Sequence, residues 1–419
     1  MTPARVLHLL PALIAVALAA PPSAGAAPRP LAQEHTVVAH NPDRSLYIEG
    51  CGLVRLAGRT FVAVVPIVPR GERAAERRST ESRTCILLSR DAGLTWSEQA
   101  QLPYYSAVPW VHDGALYLFG MKGGTTHRND DLLLLRSTDA GRTWSAPVTL
   151  ATGHFWNCQT GMVVRGGKLY WAVDDLSLGM TDRGPRIVRG DLTGDIMDAA
   201  SWRLSNPVAF PGVPESLTHH RYAASSSQYL EPNVVEVQGR IRVLTTVKPK
   251  RQTTTGLAGV LDLVEQGNDL SLTFTQYHPV PGAQLKFCVV WDDRSKLFWA
   301  AMNLPADAQM VSPWWQPLKD KAKSPDAARV AQGGNDRRTL FLHYSLDALN
   351  WFPAGCLVQA PKMSQSFMYP ALVIDGDDLA MICRTAKAAP DQHDADYATF
   401  HRVARFRDLA LNLVPASEQ

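Results

Sequence analysis

The segments LLSRDAGLTW (87–96) and LRSTDAGRTW (135–144) carry one pattern: a serine, an aspartate, a glycine and a threonine–tryptophan pair. Each follows an apolar run typical of a β-strand, and the two aspartates lie 48 residues apart. The aspartate can accept bonds from its own turn, the glycine can adopt positive φ, and the tryptophan can pack between strands. HYSLDALNW (343–351) is a third copy that lacks the glycine. Such repetition predicts similar β-units in series.

A second repeat supports this prediction. A glycine or charged turn that leads into an apolar, β-rich run recurs at roughly 50 to 80 residues, the size of a four-stranded blade with its loops. The six copies are 56–65, 112–120, 165–173, 237–247, 292–301 and 375–384. The sequence therefore predicts an all-β fold, a β-propeller of six four-stranded antiparallel blades. Seven blades are the alternative if one has lost its recognisable turn.

The repeated aspartate turn resembles the Asp-box, or BNR repeat, of the sialidase-like β-propeller superfamily. In that superfamily the motif marks a fold and not an activity. The resemblance therefore implies that Asp91, Asp139 and Asp347 are structural. The one helix-like stretch, 71–82, is charged on all sides, and we expect it to be a surface excursion.

The N-terminus has the features of a secretory signal. Arg5 precedes a short apolar run, 7–20, and small residues follow up to Ala26. This order predicts a signal peptide over 1–26 and one propeller domain over 27–419. We therefore expect a secreted or periplasmic protein, and no later run is long enough to span a membrane.

Charge and cysteine content narrow the partners. The 42 basic and 39 acidic residues give a net charge of +3, which does not favour nucleic acid. The six cysteines allow disulfides after export, but each lies in or beside an apolar run, which favours buried thiols. None has metal-ligand spacing, so we expect no metal and no cofactor. We also expect a monomer.

Two residues stand out as catalytic candidates, because propellers bind ligands where their inner strands converge. Glu231 precedes one predicted inner strand, in LEPNVVEV, and Tyr369 precedes the last. Here the chain resembles true sialidases, in which a glutamate before such a strand draws the proton from a late tyrosine. The tyrosine then attacks the anomeric carbon, and a phenol suits an anionic sugar because a second carboxylate would repel it.

The remaining sialidase residues are not where that family carries them. Those enzymes hold the sugar carboxylate with three arginines, a residue suited to bidentate contacts. This chain has YIEGCGLVRL where the first is expected and TTVKPK where the second is expected, and the family's acid/base aspartate is replaced. Hydrolysis of sialic acid is therefore not expected.

The chain also resembles propellers that remove terminal rhamnose linked to glucuronate, either as rhamnosidases or as polysaccharide lyases. The segment VVAHNPDRSLYIEG is similar to the stretch that carries the rhamnosidases' catalytic histidine, which implies such a role for His40. A second family histidine is replaced by Asn157. This loss favours hydrolysis over elimination.

Several polar residues near predicted strand starts are candidates for substrate binding. Histidine can act as acid or base near neutral pH, and arginine can hold a uronate. These candidates are Arg384, His393, Lys286, Asn233 and Asp175.

The preferred hypothesis is a secreted carbohydrate-active enzyme with an oligosaccharide or polysaccharide substrate. It would be an exo-acting glycoside hydrolase that removes a terminal sugar from an acidic or rhamnose-capped glycan. One alternative is a polysaccharide lyase that cleaves rhamnose–glucuronate linkages. A non-catalytic glycan-binding propeller is the other.

Overall fold

The structure is a computed structural model that describes residues 29–71, 74–122, 130–178, 183–213, 227–249, 256–307 and 335–414. The predicted signal peptide, 1–26, lies outside these residues. The strands form six antiparallel sheets, each with a path of four strands, and these are the six blades of a β-propeller. The six-bladed prediction is confirmed.

The strands follow one another blade by blade. The first strand is β1 (Thr36–His40). Blade I contains β2 (Leu46–Ile48), β3 (Gly52–Arg55), β4 (Phe61–Pro69), β5 (Arg83–Ser89) and β6 (Ser97–Leu102), with helix α1 (Ala74–Glu81) between β4 and β5. Blade II contains β7 (Tyr104–His112), β8 (Ala115–Lys122), β9 (Leu132–Ser137) and β10 (Val148–Ala151). Blade III contains β11 (Phe155–Trp156), β12 (Val163–Arg165), β13 (Lys168–Asp175), β14 (Gly184–Asp191) and β15 (Trp202–Leu204).

The second half of the ring has the same plan. Blade IV contains β16 (Ser227–Val237), β17 (Arg240–Pro249), β18 (Leu257–Gln266) and β19 (Asp269–Pro279). Blade V contains β20 (Cys288–Asp292), β21 (Leu297–Asn303), β22 (Thr339–Ser345) and β23 (Phe352–Gln359). Blade VI contains β24 (Ser366–Asp375), β25 (Asp378–Ala386) and β26 (Tyr397–Val403), and β1 pairs with β26 as its outermost strand. This pairing joins the two ends of the described chain and closes the ring. Short 3-10 helices cover Ala199–Ser201 and Phe406–Leu409.

The hydrophobic core lies between neighbouring blades. Successive side chains of a strand point to opposite faces of its sheet, so one middle strand serves two interfaces. Phe61, Ala63 and Val65 pack against blade VI, whereas Val62 and Val64 pack against blade II. Both faces are buried, which explains why the middle strands are continuous apolar runs instead of alternating ones.

The two aspartate turns have the same geometry. Asp91 accepts hydrogen bonds from the amide and hydroxyl of Thr95 at 2.9 and 2.6 Å, and these bonds lower the pKa of Asp91 to about 2. Gly93 has a φ of +91°, and its carbonyl accepts a bond of 3.1 Å from the indole of Trp96. Asp139 makes the equivalent bonds in the turn after β9.

The cysteines are thiols, as the sequence predicts. All six are free, and five of them are buried, Cys356 being the half-buried one. Burial raises the pKa of the Cys51 thiol to about 12 and that of Cys85 to about 11, so both stay protonated near neutral pH. No helix within the described ranges is long and apolar enough to cross a bilayer.

Candidate active site

Three inner strands, β7, β16 and β24, contain a β-bulge near their first residues, and they belong to alternate blades II, IV and VI. In each bulge one residue has positive φ: Ser106 at 47°, Glu231 at 57° and Tyr369 at 51°. A bulge re-aims a side chain, and this backbone conformation costs roughly 1–3 kcal/mol outside glycine. We call the end of the central channel marked by these three residues the upper mouth, and the opposite end the lower mouth.

Glu231 and Tyr369 meet at the upper mouth, as the sequence analysis expects. The Tyr369 hydroxyl donates a hydrogen bond of 2.6 Å to Oε1 of Glu231, and the two residues are 7% and 3% exposed. Burial, followed by the charge of Glu231, raises the pKa of the Tyr369 phenol, and the nearby Arg337 and Arg384 oppose this effect. The phenol is therefore protonated at rest, with a proton acceptor already in contact.

Arg384 lies between two tyrosine rings. Its guanidinium carbon is 4.7 Å from the ring centre of Tyr369 and 5.0 Å from that of Tyr47. Its Nη2 donates to the carbonyl of His393, but its buried Nε has no hydrogen-bond partner in the structure. Arg384 is 2% exposed, and the charge of Asp394 acts on it, but no carboxylate of the described residues forms a direct ion pair with it. A buried cation without a direct ion pair favours an anionic ligand.

Two further cations reinforce this positive region. Arg337 lies with its guanidinium carbon 5.7 Å from the ring centre of Tyr369. Lys286 is 2% exposed, and its ammonium donates to the carbonyl of Pro370, which directly follows Tyr369. Arg384 and Lys286 were expected to bind substrate, and the structure brings both to the catalytic pair. Arg337 was not recognised, because it belongs to a polar stretch with no strand pattern of its own.

Glu49 is an additional carboxylate of the upper mouth, and the sequence analysis missed it. Its two oxygens accept from the Ser106 amide and hydroxyl at 3.0 Å each, from the Trp156 indole at 3.2 Å and from Arg78 at 3.3 Å. Four donors fill the roughly four lone-pair sites that a carboxylate offers. Arg78 belongs to α1, and its side chain is only 15% exposed. The expectation that 71–82 is merely a surface excursion is therefore wrong at this residue.

Asp174, and not the expected Asp175, faces Glu231. The Glu231 amide donates to Oδ2 of Asp174 at 3.2 Å, whereas Asp175 accepts from Arg186 at 3.0 Å and from the Ser177 amide at 2.8 Å. Adjacent residues of β13 point to opposite faces, so only one of the two can reach blade IV. Asp174 is fully buried, and burial raises its pKa to about 8. Its carboxyl group therefore retains a proton near neutral pH.

Asn233 does not bind substrate at this mouth, because its amide is used between blades. Its Oδ1 accepts from the amides of Gly161 and Val289 at 2.9 and 3.1 Å, and its Nδ2 donates to the Phe287 carbonyl at 3.2 Å. The side chain is fully buried. Asn233 therefore links blades III, IV and V.

His393 forms a pair with Asp394 beside Arg384. Its Nδ1 lies 2.7 Å from Oδ1 of Asp394, which also pairs with Arg70. Burial and the charge of Arg384 lower the pKa of His393 well below the usual value, while Asp394 opposes them. The ring is 5.8 Å from that of Tyr47 and 22% exposed, so it lies at the edge of the site.

His40 lies apart from the catalytic pair. It ends β1, the outermost strand of blade VI, and two strands separate it from β24 and Tyr369. Its exposed ring stacks on Tyr397 with ring centres 4.2 Å apart. The family resemblance implied a catalytic role for His40. In the structure, the residue of this segment that reaches the upper mouth is Glu49.

A large cavity lies at the lower mouth, away from these groups. It has a volume of about 890 Å³ and is lined mainly by aliphatic side chains of the inner strands, among them Val111, Val163, Val290 and Ile374. It contains no histidine and no tyrosine. No cluster of three or more histidine, cysteine or acidic residues suited to a metal occurs in the described ranges.

The chain matches no protein-family model and no curated protein. Its fold is similar to that of Trypanosoma rangeli sialidase in complex with sialic acid, with a TM-score of 0.55 and 15% identity. That match covers 87% of this chain and 55% of the sialidase, so the chain spans about half the length of that protein. Penicillium chrysogenum α-L-arabinanase complexed with arabinobiose gives a TM-score of 0.53 at 14% identity, over 91% of this chain and 100% of that one.

The α-L-arabinofuranosidase Arb93A from Fusarium graminearum is also similar, with a TM-score of 0.54 and 11% identity over 89% of this chain and 98% of that one. At these identities the likeness concerns the fold. The blade topology shows a six-bladed β-propeller, and its fold is similar to that of these three proteins.

Proposed function

We propose that this protein is an exported, exo-acting glycoside hydrolase that removes a terminal sugar from an acidic or rhamnose-capped glycan. The observation that carries the proposal is the hydrogen bond of 2.6 Å between the Tyr369 hydroxyl and Glu231, buried at the upper mouth. Neighbours of the same fold include a sialidase, an arabinanase and an arabinofuranosidase, which supports carbohydrate chemistry.

In the proposed reaction Tyr369 is the nucleophile and Glu231 its base. As the phenol oxygen forms a bond to the anomeric carbon, its proton passes to Glu231 and the bond to the leaving-group oxygen breaks. A neutral nucleophile avoids repulsion by an anionic sugar. Water then attacks the glycosyl–tyrosine intermediate, and the phenol recovers its proton.

The positive region defines the substrate class. Arg384 and Lys286 are buried cations, each bonded to a backbone carbonyl, and Arg337 lies beside Tyr369. A sugar carboxylate would supply the missing counter-charge, and arginine can hold it with two parallel bonds. Glu49 lies in the segment where sialidases carry the first of the arginines that hold the sugar carboxylate. We therefore propose that the ligand is a uronic acid, or a sugar linked to one, and not sialic acid.

The test is a screen of the native protein against 4-nitrophenyl glycosides of glucuronic acid, rhamnose, arabinose and sialic acid, and against rhamnose-capped acidic oligosaccharides. Tyr369→Phe and Glu231→Gln should reduce turnover by about 10² to 10⁴, the range for loss of acid–base and nucleophilic groups. Tyr397→Phe and Glu236→Gln are the matched controls, because both residues lie away from the pair. Tyr397 lies on β26, and Glu236 lies on β16, the strand of Glu231, but near the lower mouth.

The alternatives give different results in this screen. Binding of oligosaccharides without turnover, equal in the native protein and in both variants, would establish a glycan-binding protein and overturn the proposal. A product with a new carbon–carbon double bond would indicate elimination.

A further inference from the structure

Hydrolysis requires a group that protonates the leaving oxygen, and the described residues of the upper mouth offer few. Glu231 is occupied by the Tyr369 hydroxyl. Glu49 already accepts from four donors, which occupy its two oxygens. Asp174 is fully buried behind the Glu231 amide. None of the three carboxyls can both hold a proton and reach a bound glycan.

His393 reaches the site and can take up a proton there. Its Nδ1 faces both Asp394 at 2.7 Å and Nη2 of Arg384 at 3.2 Å, and because Nη2 donates to the His393 carbonyl, we assign the Nδ1 proton to the shorter contact with the Asp394 carboxylate. Its Nε2 then has no hydrogen-bond partner among the residues that the structure describes, and the side chain is 22% exposed. Asp394 is itself held by Arg70, which fixes the ring orientation. The arrangement is that of an oriented imidazole with one reactive nitrogen.

We propose that His393, oriented by Asp394, donates the proton to the leaving-group oxygen, and that an anionic sugar bound at Arg384 supplies the charge that loads His393 with this proton. The inference rests on the proposed hydrolase function. It assigns the one step that Tyr369 and Glu231 do not perform.

The link between the anion and the proton is electrostatic. Nη2 of Arg384 lies 3.2 Å from Nδ1 of His393 and donates to the carbonyl of the same residue. The other groups that face the imidazole are Asp394, Arg337 and the Tyr47 ring. Without ligand, burial and the two arginines keep His393 neutral. An anion on Arg384 would cancel part of that positive field, so protonation of His393 becomes more favourable in the complex.

The proton balance closes over one cycle. The Nε2 proton of the imidazolium passes to the leaving-group oxygen as its bond to the anomeric carbon breaks, which leaves a neutral imidazole. That imidazole then accepts a proton from the water that attacks the glycosyl–tyrosine intermediate. When the anionic product leaves Arg384, the imidazolium releases this proton to solvent and the neutral resting state returns.

The first test uses leaving groups of different basicity on one sugar. A 4-nitrophenolate leaves without protonation, whereas methanol requires it. His393→Gln should therefore lose about 10² to 10⁴ in kcat on the methyl glycoside but less than about tenfold on the 4-nitrophenyl glycoside. Asp394→Asn should show a smaller loss with the same selectivity, as expected of a positioning residue. His112→Gln, which removes a histidine beside Asp113 on blade II, is the matched control.

Equal losses on both glycosides would show a structural role and overturn the inference. If the native protein cleaves neither glycoside, the proposed function fails, and this result is distinct from a failure of His393 alone.

The second test measures proton uptake directly. Calorimetric titration of D-glucuronate at neutral pH, in buffers with different ionisation enthalpies, should show uptake of a proton by the native protein and none by His393→Gln. The His112→Gln control should behave as the native protein does. No uptake by the native protein, or the same uptake by His393→Gln, overturns the coupling between anion binding and His393.

Discussion

The hydroxyl of Tyr369 lies 2.6 Å from the carboxylate of Glu231, although 138 residues separate them in sequence. Each residue has positive φ in the bulge of an inner strand, and each is followed by a proline. The ring of blades brings the two strands to one channel, and the bulges turn the two side chains toward each other. Backbone strain at both positions is consistent with a functional constraint.

Asp174→Asn should make the protein more stable in alkali. Burial raises the pKa of Asp174 to about 8, while in the unfolded chain the group titrates near ~3.9. Between these values the native state holds a proton that the unfolded state has lost. Stability therefore falls as pH rises, by at most about 1.4 kcal/mol per pH unit, and the amide abolishes this loss.

The measurement for Asp174 is urea unfolding of the native protein and the variant at about pH 5 and about pH 8. The stability advantage of the variant should be larger at the higher pH. An equal loss of stability at both pH values would mean that Arg183, at 3.9 Å, keeps the carboxylate ionised.

Acid should destabilise the fold through two buried histidines. Burial lowers the pKa of His401 to about 3 and that of His343 to about 4. In the unfolded chain both titrate near ~6.5, so below that pH the unfolded state binds more protons and stability falls as pH decreases. His401→Gln and His343→Asn should each reduce the pH dependence of the free energy of unfolding by up to about 1.4 kcal/mol per pH unit. His278→Gln, on the outermost strand of blade IV, serves as control, and unchanged slopes in both variants would refute the prediction.

Asn233→Ala should destabilise the ring by about 2–4 kcal/mol, because it leaves buried amides of Gly161 and Val289 and the Phe287 carbonyl without partners. Asn206 bonds the backbone of Leu272 but is exposed, so Asn206→Ala should lose less than about 1 kcal/mol. Equilibrium unfolding in urea compares the two variants. Similar losses would contradict the role of Asn233 as a link between blades.

Gly93→Ala should be far more damaging than Gly58→Ala. Both glycines have positive φ, 91° and 60°, so each alanine incurs backbone strain of about 1–2 kcal/mol. A Cβ on Gly93 would also lie 2.2 Å from a ring carbon of Phe400, whereas a Cβ on Gly58 meets nothing within 4 Å. Thermal unfolding should therefore show the larger drop in Tm for Gly93→Ala. Equal shifts would mean that the Phe400 ring moves aside freely.

Glu231 and Tyr369, which the structure brings into contact, could be singled out from the sequence because both precede strands with a clear apolar pattern. Glu49 and Arg78 gave no such signal. Glu49 lies in the short link between β2 and β3, and Arg78 belongs to a helix whose charged surface suggests a solvent-exposed excursion. Asp175 was the candidate from sequence, but only the orientation of β13 decides that its neighbour Asp174 faces blade IV.

The sequence alone determined the six blades and the turns between strands, because apolar runs, glycines and aspartate turns act over a few neighbouring residues. It also identified the strand starts that can carry chemistry. The tertiary structure decided which side chains share the upper mouth and in which protonation state, since both depend on distances, bulges and burial created when the ring closes. That is why His40 lies on an outer strand while Glu49, only nine residues later, lies in the site.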